Sequence, residues 1–331
     1  MALPFRISRR ALLSALPALS LSALSRRARA DATRTPSRVT KIASDARGVT
    51  VTLELEHAPF AGVGYHDPTV FAFIPHHHRY ARDASVATVV HFHGHNTTAE
   101  RAMVAHQLRE QLFESKQNAI LLVPQLAVMA PDSSCGKLEM DGGLARMIAD
   151  ALQALDAPAV HAACDRAAVP TDAEIGRVCV SAHSGGYHAA SCAIRVGGVP
   201  VREVYMFDAL YAEVDAFRDW VIAGRGKPMS SRHKLVSYYT EGTTAANTRT
   251  LFAELAQAGV ACAHEEIEGT LSREDITRAE AVSIKTQLSH GGVTSELNGL
   301  RDCLYASALR RNLRSSWFEA KKGARPLERR R

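Results

Sequence analysis

No two of the six cysteines (135, 164, 179, 192, 262 and 303) are spaced as Cys-x-x-Cys. The spacing therefore offers no support for zinc-ribbon or thioredoxin-like chemistry, and the sequence argues for no metal and no cofactor. No run of roughly 18 apolar residues interrupts the body of the chain, so a stable membrane anchor is not expected. There is no internal repeat and no low-complexity tract, which sets aside solenoids and disordered arrays. Acidic residues are missing from residues 1–30, although that stretch holds six arginines. What remains is a chain of 331 residues, 46% hydrophobic, with ample material for one large core.

The acid-free start reads as a targeting segment rather than as fold. A basic beginning, an Ala/Leu/Ser stretch from about Ala11 to Leu24, and Ala28-Arg29-Ala30 follow one another. Ser8-Arg9-Arg10 with Leu12 and Leu13 resembles the twin-arginine export signal. The expectation is a signal peptide over 1–30, cleaved near Ala30, with the twin-arginine machinery as a partner and a periplasmic or secreted destination. Setting it aside removes six of 40 basic residues and none of 34 acids, so 34 balance 34 and the formal charge falls from +6 to 0. The basicity belongs to the leader, and a nucleic-acid partner is not expected. An oxidising compartment permits disulfides. Cys135 and Cys164, in polar stretches, make a plausible pair, whereas Cys179 in an apolar run reads as a buried thiol.

Residues 31–48 read as a linker, 49–316 as the folded domain and 317–331 as a basic tail. Within the domain, strand and helix patterns alternate. Strands are expected at 49–56 (alternating, an edge strand), 69–75, 85–92, 118–124, 174–182, 201–207, 233–239 and, last, 260–268. Helices are expected at about 99–116, 141–155 (Asp141 as N-cap), 185–196, 212–223, 246–258 and 296–313. Residues 240–247 and 269–289 read as loops, the latter a candidate lid. The alternation predicts an α/β fold with a mostly parallel sheet covered on both faces.

The sharpest motif is Val178-Cys179-Val180-Ser181-Ala182-His183-Ser184-Gly185-Gly186. A β-branched strand runs into a serine flanked by small residues and then into a helix. A nucleophile elbow needs this arrangement, because the serine takes a strained backbone that lifts its hydroxyl above the sheet. Ala182 replaces the usual first glycine and meets the same demand for small size. A capping serine on a Gly-rich turn is the plainer alternative.

Val89-Val90-His91-Phe92-His93-Gly94-His95-Asn96 ends another strand. Gly94 permits close backbone approach. The backbone N–H groups of Gly185 and His95 are the expected oxyanion donors, with Asn96 next. The alternating His91, His93 and His95 also admit metal binding, but no metallohydrolase carboxylate motif follows. The His76-His77-His78 run reads as a solvated loop.

An acid and a base follow the serine in the order such sites use. Asp208 abuts a strand end; Glu241 is its rival near the next strand's end. The shorter, stiffer side chain favours Asp208. His290 sits in a Ser/Gly-flanked loop before the last helix and is preferred as base over His264 and His233, which read as solvent-facing. His93, Gly94, Asn96, His183, Asp132, Ser133, Ser134 and Lys137 are the candidate pocket residues.

AHSGG, FDALYAEVDAFRDW, VSYYTEGTTAANT, LSHGG, HFHGHNTT and PQLAVMAPDSSCGKLEMDGG, spread over about residues 50–313, together resemble a family of bacterial exported α/β-hydrolase-like proteins. The resemblance implies the α/β-hydrolase fold and a Ser184–His290–Asp208 triad. It implies no particular substrate; a small-molecule or cell-envelope ester or amide is the expected class. The rivals are a non-catalytic protein of the same fold that binds an envelope ligand, and a histidine-rich metal binder.

Overall fold

The computed structural model describes residues 36–312. The expected signal peptide and the basic tail lie outside the described residues.

Among the described residues, ten strands form one sheet: β1 (Arg38–Ser44), β2 (Gly48–Glu54), β3 (Thr69–Pro75), β4 (Ser85–Phe92), β5 (Ile120–Pro124), β6 (Glu174–His183), β7 (Val201–Phe207), β8 (Lys234–Tyr239), β9 (Cys262–Glu265) and β10 (Ala281–Lys285). Their order is β1-β2-β3-β5-β4-β6-β7-β8-β10-β9. The pairs from β1 to β5 at one end are antiparallel, and all the others are parallel. The helices are α1 (Ala99–Ala105), α2 (Leu108–Ser115), α3 (Gly143–Leu155), α4 (Pro158–Cys164), α5 (Tyr187–Arg195), α6 (Val214–Gly224), α7 (Thr243–Gln257), α8 (Arg273–Arg278) and α9 (Gly299–Tyr305).

The period-two pleat divides the core into two layers. Val90, Leu122, Val180 and Met206 pack on the face covered by α3 to α7. Their neighbours Val89, Leu121, Cys179 and Tyr205 pack on the face covered by α1, α2, α8 and α9. This double burial is why the central strands read as continuous apolar runs rather than as alternating ones. No helix of the described residues is long and apolar enough to cross a membrane.

Six expectations about elements change. Residues 38–44 are strand β1, not linker, so β2 lies between two partners and is not an edge. Only Val39 and Ile42 of β1 are half-buried, and a register shift between Val39 and Lys41 breaks the alternation that would have revealed it. The helix expected at 99–116 breaks at Gln107, whose φ of 49° starts α2 afresh. Gly142, not Asp141, caps α3. The strand at 260–268 shrinks to β9 and is not last: residues 281–285, expected in a loop, form β10 and insert between β8 and β9. The segment 269–289 therefore holds α8 and β10 and is no lid. The C-terminal helix is short, ending at Tyr305.

Candidate active site

The parallel strands end nearly level. Phe92 pairs with Ala182, His183 with Phe207, and Phe207 with Tyr238. Crevices above the carboxyl ends of such strands are where open α/β sheets collect functional side chains. Ser184, Asp208 and His290 all reach this edge.

Ser184 follows the last residue of β6 and opens a short 3₁₀ turn, Ser184–Gly186, that leads directly into α5. Its φ is 52°, a region that non-glycine residues rarely occupy. Such strain at a strand-to-helix turn lifts the hydroxyl out of the sheet and is characteristic of functional positions. Gly94 makes the turn sterically possible: a Cβ there would lie 2.7 Å from Ser184 Cβ. Any larger residue would have to displace the serine.

Asp208 immediately follows β7, also at positive φ (45°), and is 2% exposed. His290 Nδ1 lies 2.7 Å from Asp208 Oδ2. The Thr240 N–H and hydroxyl donate to the same carboxylate at 3.1 and 2.8 Å, and the Thr244 hydroxyl donates to Oδ1. Burial alone would push this carboxyl up, but the hydrogen bonds from His290, Thr244 and Thr240 outweigh it and hold the group at about 2. Asp208 is therefore ionised and aimed at His290. It does not cap α6, whose N-cap is Glu213. Glu241 lies exposed on the loop after β8.

The Asp208 contact holds a proton on His290 Nδ1 and leaves Nε2 as the basic nitrogen. The His290 carbonyl bonds His183 Nε2 at 2.8 Å, and the two rings lie 4.7 Å apart. His183 in turn packs 4.5 Å from the ring of His106. Burial drives His183 down to about 4 and His106 to about 3, so both are neutral supports beneath the site. Among the described residues, no hydrogen bond joins the Ser184 hydroxyl to the imidazole. Pairs of this kind commonly tighten only once substrate is bound.

A Cβ built on Gly185 would lie 3.4 Å from the His95 backbone nitrogen and 3.2 Å from Ser133 Oγ. The two residues expected to supply the oxyanion donors are thus neighbours. The Asn96 N–H, the reserve donor, is committed to the Val128 carbonyl at 2.8 Å.

His93 is 1% exposed. Its Nδ1 bonds the Gly94 carbonyl at 2.8 Å, and its Nε2 accepts the Leu126 N–H at 2.8 Å. It braces two loops and, as expected, also lines the small cavity beside Ser133. His91 is buried against Ser181 Oγ. The alternating histidines therefore do not converge on an ion.

Ser133 and Ser134 line a small cavity with Gly94, His95, Leu126 and Gly185. Asp132 accepts the Ser134 N–H in a local turn. Lys137 Nζ reaches the Glu56 carbonyl, so its ammonium is drawn toward β2 rather than into the cavity.

His77 and His78 are also buried rather than solvated, each bonded to a backbone carbonyl. His233 stacks on Trp220 and is half-buried, while His264 is exposed as expected. Cys135 and Cys164 are not joined; all six cysteines are free thiols and Cys179 is buried.

Four contributors escaped the sequence reading. Thr240 and Thr244 were legible only as a Gly/Thr-rich loop, and His106 sat inside a helical pattern. Tyr211, whose ring stands edge-on 6.4 Å from that of His290, forms a half-exposed wall. A polar side chain placed just past a strand end, as Thr240 is past Tyr239, was the signal available for the threonines.

No family model matches this sequence, and no curated protein matches it. Solved structures with a similar course of chain include an S-formylglutathione hydrolase from Agrobacterium tumefaciens, 13% identical, covering 82% of this chain and 100% of its own with a TM-score of 0.44. A feruloyl esterase module from Clostridium thermocellum is 8% identical over 82% of this chain and 88% of its own, TM-score 0.44. An acetyl xylan esterase from Aspergillus awamori is 11% identical over 72% and 94%, TM-score 0.44. This chain's strand order, antiparallel first strands and strained serine turn after β6 give it the α/β-hydrolase fold.

Proposed function

We propose that the protein is an exported serine hydrolase that cleaves an ester or amide bond through Ser184, His290 and Asp208. The observation that supports it most is the conjunction of a positive-φ serine at the β6–α5 turn with an imidazole bonded 2.7 Å from a buried carboxylate. His290 Nε2 takes the Ser184 proton as Oγ attacks the carbonyl carbon. Asp208 holds the tautomer and stabilises the imidazolium that forms. The carbonyl π-electrons move to oxygen, where the N–H groups of Gly185 and His95 receive them, each worth about 3–4 kcal/mol in the transition state. The leaving group departs with the proton from His290. Water then attacks the acyl-enzyme by the same route in reverse, regenerating Ser184.

A panel of p-nitrophenyl esters and anilides tests this reading. The expected result is an initial burst of p-nitrophenol or p-nitroaniline followed by slower turnover, both absent in Ser184→Ala. Turnover that survives Ser184→Ala would overturn it.

Export rests on the leader alone. Residues 1–30 fused to a folded reporter should direct it to the periplasm only when the twin-arginine machinery is intact, and Lys in place of Arg9 and Arg10 should block it. Export that continues without that machinery would refute the assignment.

A further inference from the structure

Helix α5 carries a second cluster, past the serine turn and unused by the chemistry above. His188 and Cys192 stand four residues apart and so share one face of the helix. Cys135, from the loop after β5, faces them. One ligand atom from each of the three lies within 4.8 Å of the others, and among the described residues no other such group occurs. Cys135 and Cys192 are 0% and 1% exposed.

Three details make this more than a chance meeting of thiols. Cys192 Sγ and His188 Nε2 are 3.7 Å apart, and His188 Nε2 is 3.6 Å from Glu139 Oε1. A tetrahedral zinc with bonds of about 2.0–2.3 Å places its ligand atoms about 3.3–3.8 Å apart, so the Cys192–His188 separation already fits one ion, and Glu139, beside His188, is the nearest fourth donor. Glu139 Oε1 accepts the Cys135 N–H at 2.7 Å and the Ser134 hydroxyl at 3.1 Å, which keeps the carboxylate beside the thiol. The other ring nitrogen of His188, Nδ1, lies 2.7 Å from Glu213 Oε1. A ligating histidine typically donates its second N–H to a carboxylate in this way, which fixes the ring and raises its basicity.

We propose that Cys135, Cys192, His188 and Glu139 form a structural site for a tetrahedral divalent metal ion, zinc by its ligand set. On binding, each thiol releases its proton to solvent and the thiolate sulfur donates to the ion. The ion would tie residues 133–139 to the helix that follows Ser184, fixing the wall that Ser133 contributes over Gly185. It gives a role to the Asp132–Lys137 stretch, whose residues do not all face the cavity. The site needs no Cys-x-x-Cys spacing, because the loop and the helix supply its two thiols separately.

Cobalt(II) titration of the full chain, reduced and stripped by chelator, tests the proposal. One equivalent should bind, with a thiolate-to-cobalt charge-transfer band and strong tetrahedral visible absorption, and zinc should displace it. Ser184→Ala should bind as the parent does, so this result stands apart from the fate of the hydrolase reading. Cys192→Ser should bind more weakly and, at saturation, show about half the charge-transfer intensity, one thiolate remaining. His188→Gln and Glu213→Ala alter partly exposed side chains and spare the buried core; Glu213→Ala should weaken binding by about 10- to 100-fold. A folded parent chain without the band would overturn the site. So would unchanged affinity in Glu213→Ala, or peptide mapping that finds Cys135 and Cys192 joined as a disulfide in the exported protein.

Discussion

Two polar clusters lie along one helix. Before α5 begins, Ser184 sits at the sheet edge where Asp208, just past β7, is bonded to His290 from a later loop. On the helix itself, His188 and Cys192 meet Cys135 and Glu139. The first cluster is built on strained backbone: Ser184 and Asp208 both sit at positive φ, and Gly94 admits the serine only because it lacks a Cβ. The second is built on ordinary helix geometry, with residues on one face set against a loop. Strain suits a group that must project and react, whereas an unstrained face suits groups that need only be held. The difference also explains why one cluster was legible in the sequence and the other was not.

The largest effect should separate the two candidate acids. Asp208→Asn should lower kcat/KM on a p-nitrophenyl ester by about 10,000-fold, through loss of the correct imidazole tautomer. Glu241→Gln, exposed on the loop after β8, should change it by less than about twofold. Equal losses would dissolve the distinction.

Acid should act next, through the supports beneath the first cluster. Burial holds His183 at about 4 and His106 at about 3 in the folded chain, whereas each titrates near 6.5 when unfolded. The unfolded chain thus binds more protons below pH 6.5, and folding stability falls as pH drops. The loss should begin near pH 6.5 and continue toward pH 4, at about 1.4 kcal/mol per unit for each histidine. Urea unfolding across that range checks it; a flat profile would mean these rings are not buried neutral.

Gly94→Ala should cost on the order of 100-fold in turnover, because a Cβ there would displace Ser184. The chain should remain folded, and crystallography should find the serine shifted. The smallest effect should come from the second cluster. Cys192→Ala should leave covalent labelling of Ser184 complete at endpoint, since none of its atoms touches the reacting groups. A failure to label would show that the two clusters work as one.

The alternation of apolar strands and helices revealed the layered sheet, because double burial leaves continuous runs such as Val86 to Phe92. Ser184, Asp208 and His290 were legible because each sits just past a strand end or in a Gly-flanked loop, where the motif is local in sequence. Strand β1 escaped because its bulge hides the alternation, and β10 because a five-residue strand with only three apolar residues, among charged neighbours, looks like loop. Thr240, Thr244 and His106 matter only through partners far along the chain. The thiol cluster escaped for the same reason: 57 positions separate Cys135 from Cys192, and only the tertiary fold closes that gap.

Labelling of the intact, folded protein with a fluorophosphonate, followed by peptide mapping, tests the central claim most directly. One adduct on Ser184 is expected, absent in Ser184→Ala and strongly slowed in His290→Ala. A folded chain that takes up no probe, or carries its adduct on another residue, would contradict the account.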